Sequence, residues 1–290
     1  MVKESKNLIL IDNNQLILAT IFGQTRDIGS VDEDMVRHIA LNTYRVYRNK
    51  FKGKYGELVL CQDSANIWRK DVYPQYKASR KKTRDENPEK WIRVFEILNN
   101  IRTEVQNHFP YKNMRVDRCE ADDVIGVMCR RFHKVEPIII VSSDKDFAQL
   151  QRYSGVEQYS PTNKAKIVCK NPLEVLSEQI IRGDSSDGIP NVLSDDDCFV
   201  MVDKRQKPIT KKKLTELQES LGTNNLFFDE TIRKNWERNK TLIDLEKIPL
   251  EIEAAIINRW EEPQNTSRSK LINYFMEHRL KNLMECIDEF

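Results

Sequence analysis

The sequence predicts an α/β fold with a mostly parallel central sheet and helices on both faces. Three observations carry this reading. Apolar, strand-like runs alternate with segments of helical period as far as Asp187. The three strongest runs, NLILID (7–12), GELVLCQD (56–63) and EPIIIVSSD (136–144), each close on an aspartate. Beyond Asp187 the chain reads as mainly helical, with breaks at Pro190, Pro208, Pro249 and Pro263.

The elements follow in order. After the first strand, residues 30–51 place Met35, Val36, Ile39, Ala40, Val46 and Tyr47 at a helical period, with Ser30 or Asp32 as the cap. The second strand leads into a basic stretch from Trp68 to about Arg84. Residues 89–109 are helical by period, with Pro88 at the start. The segment 119–132 is another helix, its apolar face carried by Val124, Val127, Met128 and Phe132. After the third strand, 156–161 and 165–170 read as weaker strands and 171–184 as a helix with Pro172 near its N-terminus.

Composition narrows the function classes. The 290 residues are 39% hydrophobic and 32% charged, enough for a real core under a highly charged surface. No apolar run approaches the ~20 residues that span a bilayer, and Asp12 interrupts the only N-terminal apolar run, so no signal peptide is read. Six scattered cysteines make neither a C-x-x-C zinc pattern nor a disulfide framework, which fits reduced thiols and a cytoplasmic location. His38, His108, His133 and His278 lack ligand spacing, and neither G-x-G-x-x-G nor G-K-[ST] is present.

The net charge of +2 conceals segregation. Basic residues crowd into 45–54, 68–84 and 204–213, and acidic ones into 119–123, 142–146, 183–188 and 194–197. Separate poles suggest a polyanion-binding surface beside a cation-binding one. Any single run also fits a solvated helix face.

In an open α/β sheet the ligand crevice lies beyond the carboxyl ends of the strands, so Asp12, Asp63 and Asp144 are delivered to one edge. Glu120 and Asp123 share a face at the start of one helix, and Asp122 projects from the same turn. Taken singly, Asp12 or Asp146 also fits a helix cap, and Asp184 a turn. If these acids converge with Asp146, Asp184 and Asp187, their repulsion demands cations. An all-oxygen set without His or Cys selects Mg²⁺, with Mn²⁺ able to substitute, and so many carboxylates suggest two ions. Two ions ~3.5–4 Å apart are the usual clamp for in-line phosphodiester hydrolysis. Lys77 and Arg80, at i,i+3 on an expected helix after Pro74, are placed to hold the phosphate. Trp68 and Tyr76 are candidates for base stacking, and Arg69, Lys70, Lys81, Lys82 and Arg84 for phosphate contact.

In succession LID, LCQDS, YPQYKASR, CEADD, SSDKDF and GDSSDGIPN resemble the 5′ nucleases, the flap endonuclease family. LIDLEKIP (242–249) and the terminal ECIDEF extend the likeness, over essentially the whole length, to its phage-type members. The resemblance implies a divalent-metal-dependent 5′→3′ exonuclease and flap endonuclease that removes RNA primers from lagging-strand fragments. Its substrates would be branched or nicked DNA duplexes and RNA–DNA hybrids with a 5′ end or flap. It also implies a helical arch over about 71–109, a nuclease core over 1–190 and a mainly helical DNA-binding domain over 191–290. Asp12, Asp63, Glu120, Asp122, Asp123 and Asp144 match the family's first metal cluster, Asp146, Asp184 and Asp187 its second, and Lys77 with Arg80 its basic pair. Phage-type members also work with a single-stranded-DNA-binding protein and a sliding clamp, and a phage-encoded chain would act in the host cytoplasm.

One departure stands out. Many relatives follow GD-x-x-D with a Gly-x-Gly-x-Lys hairpin that holds duplex DNA and a K⁺ ion. Here IPNVLSDDDCFVMVDKRQK (189–207) lacks the paired glycines and has three aspartates. That puts the K⁺ site in doubt and shifts the duplex grip to Lys204, Arg205, Lys207, Lys211, Lys212 and Lys213. A PIN-type single-strand ribonuclease would also explain the strand-end aspartates, but needs neither arch nor basic C-terminal region. A catalytically idle DNA-structure-binding protein would be expected to have lost a core acid, and none is replaced.

Overall fold

The computed structural model describes residues 8–24, 31–222, 229–264 and 267–290; MVKESKN and Ser30 lie outside that description. Among the described residues six strands form one sheet: β1 (Ile9–Asp12), β2 (Leu58–Gln62), β3 (Lys112–Arg115), β4 (Ile138–Val141), β5 (Val156–Ser160) and β6 (Ala165–Ile167). Their order is β3-β2-β1-β4-β5-β6, all neighbours parallel except the β5–β6 pair. The chain winds outward from β1 through β2 to β3, then reverses to β4 on the other side of β1. That reversal opens a crevice at the carboxyl ends of β1 and β4.

The pleat explains why the strands are apolar throughout rather than alternating. Ile9, Ile11, Leu58, Leu60, Ile139 and Val141 face one core, and Leu8, Leu10, Val59, Cys61, Ile138 and Ile140 face the other. The first core is covered by α1 (Asn13–Gln24), α2 (Glu33–Tyr55) and α5 (Pro88–His108). The second is covered by α6 (Ala121–Phe132). Asp32 caps α2, its side chain accepting from Asp34 N and Met35 N, and Pro88 opens α5 behind the Asn87 cap.

Two short helices, α3 (Arg69–Val72) and α4 (Ala78–Asp85), lie between β2 and α5. Beyond β6 come α7 (Pro172–Arg182), α8 (Lys211–Gly222), α9 (Glu230–Ile243), α10 (Leu250–Glu261), α11 (Leu271–Glu277) and α12 (Lys281–Met284). Helices α7 and α9 meet around Leu176, Ile180, Leu242 and Ile243, and α7 and α8 around Ile181, Leu214 and Leu217. The last three helices return to the sheet. Ile252 and Ile256 of α10 join the α6 side, while Leu271, Tyr274, Phe275, Leu283 and the terminal Phe290 join the other.

The segment 191–210 is turns and extended chain, without a helix. Lys204 pairs with Asp197 at 2.7 Å, and Arg238 of α9 pairs with Asp196. Lys204 also lies 3.4 Å from Asp195, so all three aspartates are tied to local cations. All six cysteines are free thiols, four of them buried. No helix among the described residues is long and apolar enough to cross a membrane.

Candidate metal centre

Each strand-end carboxylate is fixed through its neighbours. Asp12 Oδ1 accepts from Gln15 N at 3.1 Å, capping α1. Asp63 Oδ1 accepts from Ala121 N at 2.9 Å, so it sits at the start of α6. Asp144 Oδ1 accepts from Asp146 N at 2.9 Å and caps the 3₁₀ turn Lys145–Arg152. Capping and convergence are thus not alternatives: the cap holds one oxygen and fixes where the carboxylate sits.

The GDSSDG turn delivers two more acids. Gly183 (φ 67°) ends α7, and a Cβ there would collide with the Ile189 carbonyl and lie 2.6 Å from Pro190 C, so only glycine fits. Asp184 then pairs with Ile189 through backbone bonds of 2.8 and 2.7 Å. Gly188 (φ 72°) lets this turn lie against the backbone of 75–77, where Lys77 N donates to Asp187 O at 2.7 Å. Lys77 itself has φ 57°.

Eight carboxylates line one cleft of about 230 Å³: Asp12, Asp63, Glu120, Asp122, Asp144, Asp146, Asp184 and Asp187. Lys77, Arg80 and Lys145 are the cations of its wall. Lys77 Nζ lies 2.5 Å from Glu120 Oε1 and 3.4 Å from Asp187 Oδ2. Arg80 Nη2 lies 2.6 Å from Asp187 Oδ1, and Lys145 Nζ 2.9 Å from Asp184 Oδ2.

Eight carboxyl groups face three cationic side chains here, and burial with mutual repulsion shifts several of them. Burial, then the charges of Asp63 and Asp144, raises Asp12 to about 7. Burial, then Asp144, Asp184 and Asp187, raises Asp146 to about 7. Asp122 is raised by burial and by Asp12. Glu120 goes the other way: burial is outweighed by Lys77 and Arg69, and it falls to about 2. Burial also opposes Asp184, but Ser186 and Lys145 hold it low.

The donor set fits hard divalent ions: the lining offers carboxylate, amide and hydroxyl oxygens and neither His nor Cys. Among the described residues no three of these side chains form a ready-made cage, and Lys77, Arg80 and Lys145 pair with Glu120, Asp187 and Asp184. The acids are gathered, and their charge is part-neutralised by the chain's own cations.

Asp123 does not line the cleft. It is fully buried, accepting from Glu120 N at 2.9 Å and Trp68 Nε1 at 3.1 Å and pairing with Arg69 at 2.8 Å. Its place in the expected metal set is corrected: it closes a capping box with Glu120 and anchors Arg69. Arg69, at 3% exposure, also donates to Glu120 Oε2 and Leu242 O, and so is no nucleic-acid contact. Trp68 and Tyr76, each 2% exposed, offer no stacking face. Tyr76 OH instead lies 2.9 Å from Asp187 and 3.1 Å from Glu120. The apolar bulk that made these residues look like base platforms packs the second-layer support of the acids.

Lys70, Lys81 and Arg84 are exposed and border an adjoining basic cavity. The side chain of Lys82 falls outside the described residues. Arg205, Lys207, Lys211 and Lys212 are exposed, whereas Lys204 is engaged by Asp195 and Asp197 and Lys213 by Glu216 at 3.4 Å. None of these six lines the cleft.

Sequence reasoning missed Asn14, Lys145 and Arg102. Asn14 donates to Asp63 and accepts from Arg102. Arg102 carried a legible signal, a charge among Leu98, Ile101 and Val105 on the buried stripe of α5.

The chain is similar over most of its length to several known proteins. A family model described as a 5′-3′ exonuclease, N-terminal resolvase-like domain, matches residues 7–178, and one described as T4 RNase H, C terminal, matches 172–290. Ribonuclease H of Enterobacteria phage T4 is 32% identical over 98% of this chain and 96% of its own length. DNA polymerase I of Bacillus subtilis is 23% identical over 99% of this chain and 33% of its own. Among solved structures, the T5 5′-exonuclease with bound zinc superposes with a TM-score of 0.64 at 15% identity, covering 88% of this chain and 99% of that one. A T5 flap endonuclease variant with DNA and metal ions gives 0.65 at 14% identity, covering 89% and 100%. At such identity these two structures establish the fold.

Proposed function

The chain belongs to the 5′-3′ exonuclease family, and on that premise we propose that it is a divalent-metal-dependent 5′→3′ exonuclease and flap endonuclease. The observation that carries this reading is the convergence of eight carboxylates beside Lys77 and Arg80. The proposed substrates are RNA–DNA hybrids and DNA duplexes with 5′ ends or flaps, and the proposed role is removal of RNA primers. The names of the T4 relative and of the DNA-bound T5 structure support it.

Asp12, Asp63, Glu120, Asp122 and Asp144 would hold one Mg²⁺, and Asp146, Asp184 and Asp187 a second. When bound, such ions polarise the phosphate, lower the pKa of water and neutralise charge on the leaving 3′ oxygen. The chain's own residues do the rest. Lys77, in the turn before α4, and Arg80, in the first turn of α4, reach the cleft and, once released from Glu120 and Asp187, can donate to the non-bridging oxygens of the scissile phosphate. Tyr76 and Arg69 hold Glu120 in place from behind. Metal chemistry is assigned to 1–190, with the arch at 71–109, and duplex contact to 191–290, through Arg205, Lys207, Lys211 and Lys212.

The test is a 5′-flap duplex labelled at the 3′ end of the flapped strand. Shortening from the 5′ side with Mg²⁺, and none with EDTA, is the expected result. Flap binding without cleavage in Mg²⁺ or Mn²⁺ would overturn the reading.

A further inference from the structure

A second cavity, of about 470 Å³, shares Asn14, Asp63, Lys77, Arg80 and Glu120 with the acidic cleft. Its remaining wall reverses the charge: it carries Lys70, Lys81, Arg84, Arg102 and Arg115 and no further carboxylate. Phe95 and Leu98 add an apolar stretch to the same wall. A cavity of this size, part apolar and part cationic, suits one nucleotide better than a bare ion.

Arg102 is the unusual member. It is 7% exposed, yet among the described residues it forms no ion pair. Its Nη2 donates to Asn14 and its Nη1 reaches Asn99 Oδ1 at 3.4 Å, while Nε is buried with no partner at all. Burial pulls its pKa down to about 10, with the Asp63 charge working against that and Arg115 adding to it. A buried guanidinium without a counterion is costly, and the cost is recovered when an anion with matching acceptors arrives. The cleft next door fixes what that anion is, because a strand whose scissile phosphate lies among the acids carries its next phosphate into the adjoining basic space.

Resting on the nuclease reading above, we propose that Arg102, with Arg115 beside it, is a substrate-binding residue that seats the phosphate on the 5′ side of the cleaved bond. That phosphate is a 5′-terminal monoester on a recessed end or an internal diester on a flap; both present the same anionic oxygens. Asn14 links this seat to the cleft, since it bonds Arg102 on one side and Asp63 on the other.

The test uses the full chain with Mg²⁺ and three substrate arms. These are a recessed 5′-phosphate end, the same end as a 5′-hydroxyl, and a short flap with one neutral methylphosphonate placed at each 5′-side linkage in turn. Wild type is expected to lose about tenfold in kcat/KM when the charge is removed at one such position, the value of a lost charge-assisted hydrogen bond. The arm that shows the loss identifies the source of the phosphate. Arg102→Gln should lose a similar factor on the charged substrate and nothing more when the charge is removed, and Arg102→Lys should regain part. Arg115 is exposed, so Arg115→Gln folds independently of the buried contacts and should show a weaker form of the same insensitivity. Wild type indifferent to charge at every 5′-side position, or Arg102→Gln as sensitive as wild type, would overturn the proposal. Wild type that cuts none of the three would instead sink the nuclease reading, and the proposal with it.

Discussion

Lys77 Nζ lies 2.5 Å from Glu120 Oε1 and is held there by a backbone turned to φ 57°. A left-handed lysine is strained, and the turn is kept by Lys77 N donating to Asp187 O at 2.7 Å. The basic residue nearest the acids is thus aimed by the same GDSSDG turn that supplies Asp184 and Asp187. One ammonium bridges the carboxylate that precedes α6 and one from the turn after α7.

Lys77→Ala removes both a phosphate donor and a competitor for the ion ligands. Turnover should fall by ~10²-fold or more, with a smaller change in KM. Mn²⁺ should bind several-fold tighter, because Glu120 and Asp187 no longer need to be freed from the ammonium. Loss of affinity for substrate with turnover intact would reassign Lys77 to docking.

Asp146→Asn keeps shape and removes one charge from the set held by Lys145, Asp184 and Asp187. Cleavage should drop by at least ~10³-fold, while binding of a flap duplex, measured by anisotropy in Ca²⁺, stays within about twofold. Asp144→Asn should behave alike. Near-normal turnover by either variant would remove that residue from the metal set.

Arg69→Met breaks a different kind of contact. Arg69 is buried between Glu120 and Asp123, and its loss leaves the buried Asp123 without its counterion and Glu120 with Lys77 alone. The expected cost is ~3–5 kcal/mol, seen as a lower midpoint in urea unfolding. A midpoint unchanged from wild type would show that water replaces the guanidinium at no cost.

Acidity should stabilise the chain when divalent ions are removed. Asp12 and Asp146 have folded pKa values of about 7 against an ordinary 3.8, so the folded state holds their protons more tightly than the unfolded one. The stability this confers is full below pH ~4 and is lost as pH rises through about 7. Glu120, drawn down to about 2, acts oppositely and matters only below pH ~4. In EDTA the thermal midpoint should therefore fall by about 5 °C or more between pH 5 and pH 8. Excess Mg²⁺ at pH 8 should restore it. A midpoint that rises with pH in EDTA would contradict the electrostatics of the cleft.

Much of this was legible in the sequence, for physical reasons. Strands buried on both faces read as unbroken apolar runs, so β1, β2 and β4 stood out, and their terminal aspartates pointed at the crevice. β3, with the sequence KNMR, is short and polar; it is a strand only because β2 offers it an edge. α1 escaped notice because NNQLILATIFGQ is apolar on nearly every side, which blurs a helical period. Asp123 was misplaced because spacing alone shows that it shares a helix face with Glu120. The capping box, which turns Asp123 back towards Arg69 and Trp68, depends on side chains from a distant segment. Arg69, Trp68 and Tyr76 were misread for a related reason: a basic, aromatic stretch looks the same whether it packs behind a site or faces a ligand.

The most direct measurement of the central claim is an equilibrium titration of the wild-type chain with Mn²⁺, followed by electron paramagnetic resonance of the free ion. Binding of two ions per chain at neutral pH, with one lost in Asp146→Asn and competition by Mg²⁺ at both, is what the account predicts. A chain that takes up no Mn²⁺ with Lys77 intact, and none in Lys77→Ala, would contradict it.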